Sequence, residues 1–207
     1  EVHLQTDFSS ATVQETGITF RLRSRVVGPS VTPWDNLGLP RRRGCAIAQQ
    51  VLVVPGKSPF EMVLSDNLLN QIFFAAWNGG MLEMPLPADL LADVDLGSYG
   101  VTKLEGTISG MLAPTLSDCG GGALELLVGD LRIDLDLEIF GSPGHAVIFA
   151  TFATEILIDV VEGTLGLSLG ELLYMEVDVS ADDSLIGAEG FLKDMIGEAV
   201  GPLLTES

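Results

Sequence analysis

Two hydrophobic periods divide this chain. Over most of it apolar residues recur at every second position, the signature of strands with one buried face. The clearest run is ALELLVGDLRIDLDLEIFG, where Leu131, Ile133, Leu135, Leu137 and Ile139 fall on one face and Arg132, Asp134, Asp136 and Glu138 on the other. HAVIFATFATEILIDVVEGTLGLSLGEL continues with β-branched and aromatic residues, broken by a turn at EGT, and LLYMEVDVS reads as a further strand. Near the start, SSATVQ and ITFRLRSRVV read as two strands around a turn at QETG. Residues 28–46 hold Pro29, Pro33 and Pro40 and form a long loop. AIAQQVLVVP, PFEMVLSD and VTKLEGTISGML are shorter strand candidates, the last preceded by an Asp-rich loop.

Two segments have a helical period instead. In SDNLLNQIFFAAWNGGML, residues 66–78 carry no charge after Asp66, and Leu68, Leu69, Ile72, Phe73, Ala75, Ala76 and Trp77 fill an arc of about 200°, with Phe74 intruding on the polar side. Packing once on a sheet needs only about 100°. Ser65 or Asp66 suits the N-cap, and Gly79 or Gly80 the left-handed C-terminal position. DDSLIGAEGFLKDMIGEAVGPLL predicts a second, amphipathic helix over about 184–204, with Leu185, Ala188, Phe191, Leu192, Met195, Ile196, Ala199 and Leu203 on one face. The order of strands, one helix, many strands and one helix is not βα alternation. It predicts an α+β fold, a highly curved antiparallel sheet wrapped around long amphipathic helices.

Composition narrows the function. With 29 acidic residues against 10 basic ones the net charge is −19, which argues against nucleic acid and against docking on anionic membranes. Six of the ten basic residues lie in the first 43 positions: Arg21, Arg23, Arg25, Arg41, Arg42 and Arg43. On a strand Arg21, Arg23 and Arg25 share a face, read as a solvated face rather than a dedicated anion or partner patch. No uncharged run is long enough to span a bilayer, so stable membrane insertion is not expected.

Cys45 and Cys119 fit no zinc or CxxC spacing. Both stand in loop-like sequence, which favours one long-range disulfide in an exported protein over two buried thiols. The abrupt start EVHLQTDF suggests a processed or excised piece of a longer chain.

Candidate chemistry is sparse. The two histidines, His3 and His145, belong to no HExxH, GxSxG or phosphate-loop motif, and His145 in GSPGHAV reads as a solvated turn residue. CGGG at 119–122 reads as a flexible turn. Asp182 and Asp183 suit a helix N-terminus better than calcium, and Asp89, Asp93 and Asp95 lack EF-hand spacing. Neither an enzyme nor a metal or other cofactor is expected.

PFEMVLSDNLLNQIFFAAWNGGMLEMPL resembles a segment of the tubular lipid-binding superfamily that includes bactericidal/permeability-increasing protein, lipopolysaccharide-binding protein and cholesteryl ester transfer protein. The likeness rests on Ser65, Asp66, Asn70, Trp77, Gly80 and Leu82, with APTLSD like the strand that follows that helix, and SLIGAEGFLKDMIGEAVGPLL like the closing helix. These segments cover about a quarter of the chain. The resemblance implies a single lipid-binding barrel over residues 1–207, most like the C-terminal half of a two-barrel member, with room for a partner half before Glu1. It also implies an apolar groove between helix and sheet, lined by Leu69, Ile72, Phe73, Ala76 and Trp77 and opposed by Phe191, Leu192, Met195 and Ile196. Family members that bind lipopolysaccharide use basic tips, which this acidic chain lacks after residue 43.

The expected function is therefore non-catalytic binding or transport of a lipid or other long apolar ligand by an exported protein. Two alternatives remain: an interaction module whose apolar helix docks another domain or a second subunit, and a calcium-dependent acidic surface protein.

Overall fold

The computed structural model describes residues 3–14, 17–35, 66–87, 95–117, 124–161, 164–182, 185 and 190–195. They form two antiparallel sheets. The first is a hairpin of β1 (His3–Gln14) and β2 (Gly17–Val27). The second has the order β3 (Met84–Pro85), β4 (Val101–Gly110), β6 (Leu124–Ile139), β7 (Ser142–Val161) and β8 (Thr164–Ala181), with β5 (Thr115–Ser117) also pairing with β6. Helix α1 is Asp66–Asn78, a 3-10 turn is Leu96–Tyr99, and residues 190–195 form a short helix, α2.

The expected fold class is corrected here. Strands make up most of the described residues, and of two short helices only α1 exceeds seven residues, so the sheet is not wrapped around long helices. Geometry explains the difference. At 13 residues α1 is about 20 Å long. The 20 residues of β7 run to roughly 65 Å, so α1 covers one part of the sheet and cannot serve as its axis. Two glycines stop α1. Gly80 is left-handed at φ 79°, its amide donates to the Trp77 carbonyl at 2.8 Å, and the Met81 amide donates to the Ala76 carbonyl at 3.0 Å. That pair of bonds is the Schellman closure. Of the second predicted helix, over about 184–204, helical structure is described at 190–195; most of the remainder lies outside the described residues.

The strands are longer than alternation alone predicts, because bulges restore phase where the pattern slips. In β6, Val128 faces Phe152 and Leu131 faces Ala150, so one extra residue sits near Asp130, whose φ is 46°. The bulge keeps Val128 on the face of Leu131, Ile133, Leu135 and Leu137, although the odd spacing would put it on the other. Two further shifts, between Ala153/Thr154 and Thr154/Ile156, let residues 164–171 and LLYMEVDVS continue as the one strand β8. Thr154 is fully buried there, and its hydroxyl lies 3.2 Å from the carbonyls of both Gly170 and Glu171 in the bulged stretch. Strands β6 and β7 join through Phe140–Gly141, both with positive φ, the two-residue turn that suits the twist of a hairpin.

The result is one continuous apolar inner face. Ile133, Leu135, Leu137, Ala146 and Ile148 are buried on it beneath Leu185, Leu192 and Met195. The outer face is polar, as the alternation predicts. Arg132 makes a two-pronged bond to Asp134, through Nε at 2.8 Å and Nη2 at 2.7 Å. The segment after β2 is tied to this body: the Val31 and Thr32 amides donate to the Asn78 carbonyl, and Trp34 Nε1 donates to Glu83, which also accepts from Ser109.

Candidate functional site

A cavity of about 170 Å³ lies between α1 and the inner face of the sheet. Leu69 and Phe73 line it from α1, Leu116 from β5, Leu126 from β6, Ile156 from β7, and Ser168 and Leu169 from β8. Ser168 alone among these is polar, so the lining offers contact and desolvation rather than a hydrogen-bonded binding set.

Three anchors hold α1 over this space. Asn70 bonds β5 in both directions: its Oδ1 accepts from the Leu116 amide at 2.6 Å, and its Nδ2 donates to the Leu116 carbonyl at 2.9 Å. The side chain thereby mimics a neighbouring strand. Trp77 is 2% exposed, and its Nε1 donates to the Gly110 carbonyl at 2.6 Å. On the far flank, Gln71 Oε1 accepts from the Val26 amide of β2 at 3.4 Å.

Of the residues expected to line a groove, Leu69 and Phe73 do line the cavity. Trp77 is a buried anchor whose ring packs 5.5 Å from that of Phe74. Ala76 is half-buried, and Ile72 is 39% exposed on the outer side of α1. The opposing set lies elsewhere. Leu192 and Met195 are buried in the main core against Ile133 to Ile148, and Phe191 stacks on Tyr99 at 4.1 Å. From Leu126, under α1, to Leu135, under α2, is nine residue steps along β6, roughly 30 Å. The two helices thus cover different ends of one apolar face. Ile196 lies outside the described residues, as do Cys45 and Cys119.

Sequence reasoning missed the far wall of the cavity: Leu116, Leu126, Ile156, Ser168 and Leu169. Each is legible as an inward or outward strand position, but only register shows that they meet. Nor does the sequence single out Asn70 from the other amides of α1, Asn67, Gln71 and Asn78, as the one that bonds the β5 backbone.

Asp89, Asp93, Asp183 and the CGGG stretch at 119–122 lie outside the described residues, and the described candidates have structural contacts. Asp95 caps the 3-10 turn, accepting from the Ser98 amide at 3.2 Å. Asp182 accepts from the His145 amide at 3.2 Å. His145 stands within β7 rather than in the turn, its Nδ1 3.1 Å from Asp136 and its Nε2 4.0 Å from Asp134. The Arg132 hydrogen bonds and charge, with a smaller contribution from His145, hold the Asp134 carboxyl below its ordinary range, against the opposing effect of partial burial. Among the described residues no cluster of three or more His, Cys, Asp or Glu is arranged to hold a metal ion. Among them, too, no helix is long and apolar enough to cross a membrane.

Comparison of the chain with protein-family models, with curated proteins and with solved structures finds no significant match.

Proposed function

We propose that this chain binds a long apolar ligand, of the class of an acyl chain, with its end in the cavity between α1 and the sheet. The observation that carries this reading is the almost wholly apolar lining of that cavity, continuous through Leu169 with the inner face of the sheet. The residues behind the resemblance to the tubular lipid-binding superfamily support it: Asn70, Trp77 and Gly80 position and end the helix that roofs the cavity.

Size limits what the cavity holds alone. An apolar cavity of about 150 Å³ accepts one benzene ring, so this one takes about six carbon atoms. At about 0.8 kcal/mol per methylene, six carbons contribute roughly 5 kcal/mol, which corresponds to sub-millimolar binding at best. Tight binding therefore requires the rest of the chain to lie along the inner face toward α2, past the partly buried Phe152, Leu172 and Met175. No charge pairing is needed, and the acidic exterior keeps the loaded protein soluble.

The test is a titration with fatty acids from six to eighteen carbons, read by displacement of an environment-sensitive fluorescent acyl probe. Affinity should climb about fourfold per added methylene until the inner face is filled. Phe73→Asp should abolish uptake, while far-ultraviolet circular dichroism stays that of the wild type. Affinity that is flat with chain length, or uptake by a folded Phe73→Asp protein equal to that of the wild type, would sink the reading.

A further inference from the structure

The β1–β2 hairpin has two unlike faces. Register places Leu4, Thr6, Phe8, Ala11 and Val13 opposite Val26, Ser24, Leu22, Phe20 and Ile18 on one side, apolar except for the Thr6–Ser24 pair, whose hydroxyls lie 3.3 Å apart. The bulge at Ser9 keeps this face in phase, because without it Ala11 and Val13 would turn to the other side. The reverse side carries Arg21, Arg23 and Arg25, with Asp7 across from Arg23. The apolar face carries no charge, and it is open: Leu4, Phe8, Val13, Ile18, Phe20 and Leu22 are 57–75% exposed.

We propose that this face is the contact surface for a second copy of the chain, the two hairpins packing face to face about a two-fold axis. Three observations select that occupant. First, a two-stranded ribbon is marginally stable in water unless its apolar face is covered, so a hairpin of 12 and 11 residues calls for a cover. Second, six large apolar side chains on one face, each 57–75% exposed, make a patch on the scale of one partner's share of a standard interface, about 800 Å². Third, the face suits a two-fold axis. Phe8 and Phe20, their rings 5.9 Å apart, stand near its middle with the small Ala11 beside them, and aliphatic residues occupy both ends. With the axis at the Phe8–Leu22 pair, the middle one of five, Phe8 meets its own copy, and each Phe20 ring faces the small Ser24 of the other chain while Ala11 faces Thr6. Leu4 and Val26 of one copy then meet Val13 and Ile18 of the other, an isologous contact with its aromatic anchors in the centre.

Charge favours a second copy over a lipid surface. The arginines are on the reverse side, away from any headgroup that the apolar face would meet, and the chain as a whole carries −19. In the face-to-face arrangement they point to water, and no acidic face meets another. The proposal is independent of any ligand beneath α1.

The experiment is sedimentation equilibrium of the full chain from 1 to 100 µM, with and without Phe20→Asp. A photo-reactive benzoylphenylalanine at position 8 is cross-linked in a mixture of isotopically light and heavy protein. The wild type should sediment as a dimer, Phe20→Asp should weaken association about 100-fold, and Thr12→Asp on the reverse side should leave it unchanged. Cross-links should join light and heavy hairpins. Unaltered far-ultraviolet spectra keep the Phe20→Asp result interpretable, since the β6–β8 core does not depend on the hairpin face. A monomeric wild type overturns the proposal, as does a dimer indifferent to Phe20→Asp. So do cross-links confined to a single chain, for example to residues 36–65, and a monomer that pellets with phosphatidylcholine vesicles through Phe20.

Discussion

Asn70 and Leu116 are joined by two hydrogen bonds that run in opposite directions, amide to Oδ1 at 2.6 Å and Nδ2 to carbonyl at 2.9 Å. One side chain on a helix thus stands in for a strand at the edge of β5. The pair sets the height of α1 above the sheet and so the space into which Leu69 and Phe73 project.

Asn70→Ala removes both bonds at a half-buried site and leaves two backbone groups of β5 without that partner. At about 1 kcal/mol per bond the loss is about 2 kcal/mol, seen as a lower urea midpoint. Asn70→Asp keeps the acceptor but faces the Leu116 carbonyl with negative charge, so it should be no better than the alanine variant. Stability unchanged in both would show that the helix is held by apolar contact alone.

Thr154→Val is close to isosteric and deletes only the buried hydroxyl that meets the bulge carbonyls of Gly170 and Glu171. The expected cost is about 1–3 kcal/mol, because those carbonyls stay buried or must move to water. Hydrogen exchange should quicken first at residues 168–175, where the phase of β8 is corrected, and a uniform change across the sheet would contradict a local role.

The Arg132–Asp134 pair gives a pH dependence of known sign. The folded carboxyl titrates below its unfolded value, so the unfolded state binds more protons in the interval between them, and stability rises with pH there. The contribution is present above the ordinary carboxylate range and lost as pH falls through the lowered value. Both side chains are about one-third exposed or less, and solvent screening limits the effect to about 0.5–1 kcal/mol. The difference in urea midpoint between wild type and Asp134→Asn should be present at pH 7 and close as the solution is made strongly acidic. A difference that widens on acidification would reverse the assignment.

The sequence by itself determined the elements and their faces. A helical stretch without charge after Asp66, ended by two glycines, marks α1. Alternation from Leu131 to Ile139 separates an apolar side from an acidic one, as the structure has it, and RLRSR places three arginines together on β2. These are local matters, decided by the period of the backbone and by what glycine permits at positive φ.

Only the tertiary structure decided how these faces join. Alternation alone cannot place Val128 with Leu131, or run β8 unbroken from Thr164 to Ala181, because a bulge resets the phase by one residue and depends on the partner strand. Nor can a helical wheel divide the wide apolar arc of α1 among Trp77 as buried anchor, Leu69 and Phe73 as cavity wall and Ile72 as open surface. The arc records that each prefers to leave water. The assignment depends on what stands opposite, here Gly110, Leu116 and Leu126, residues 33 to 57 positions away in the chain, roughly, and brought into place by strand register.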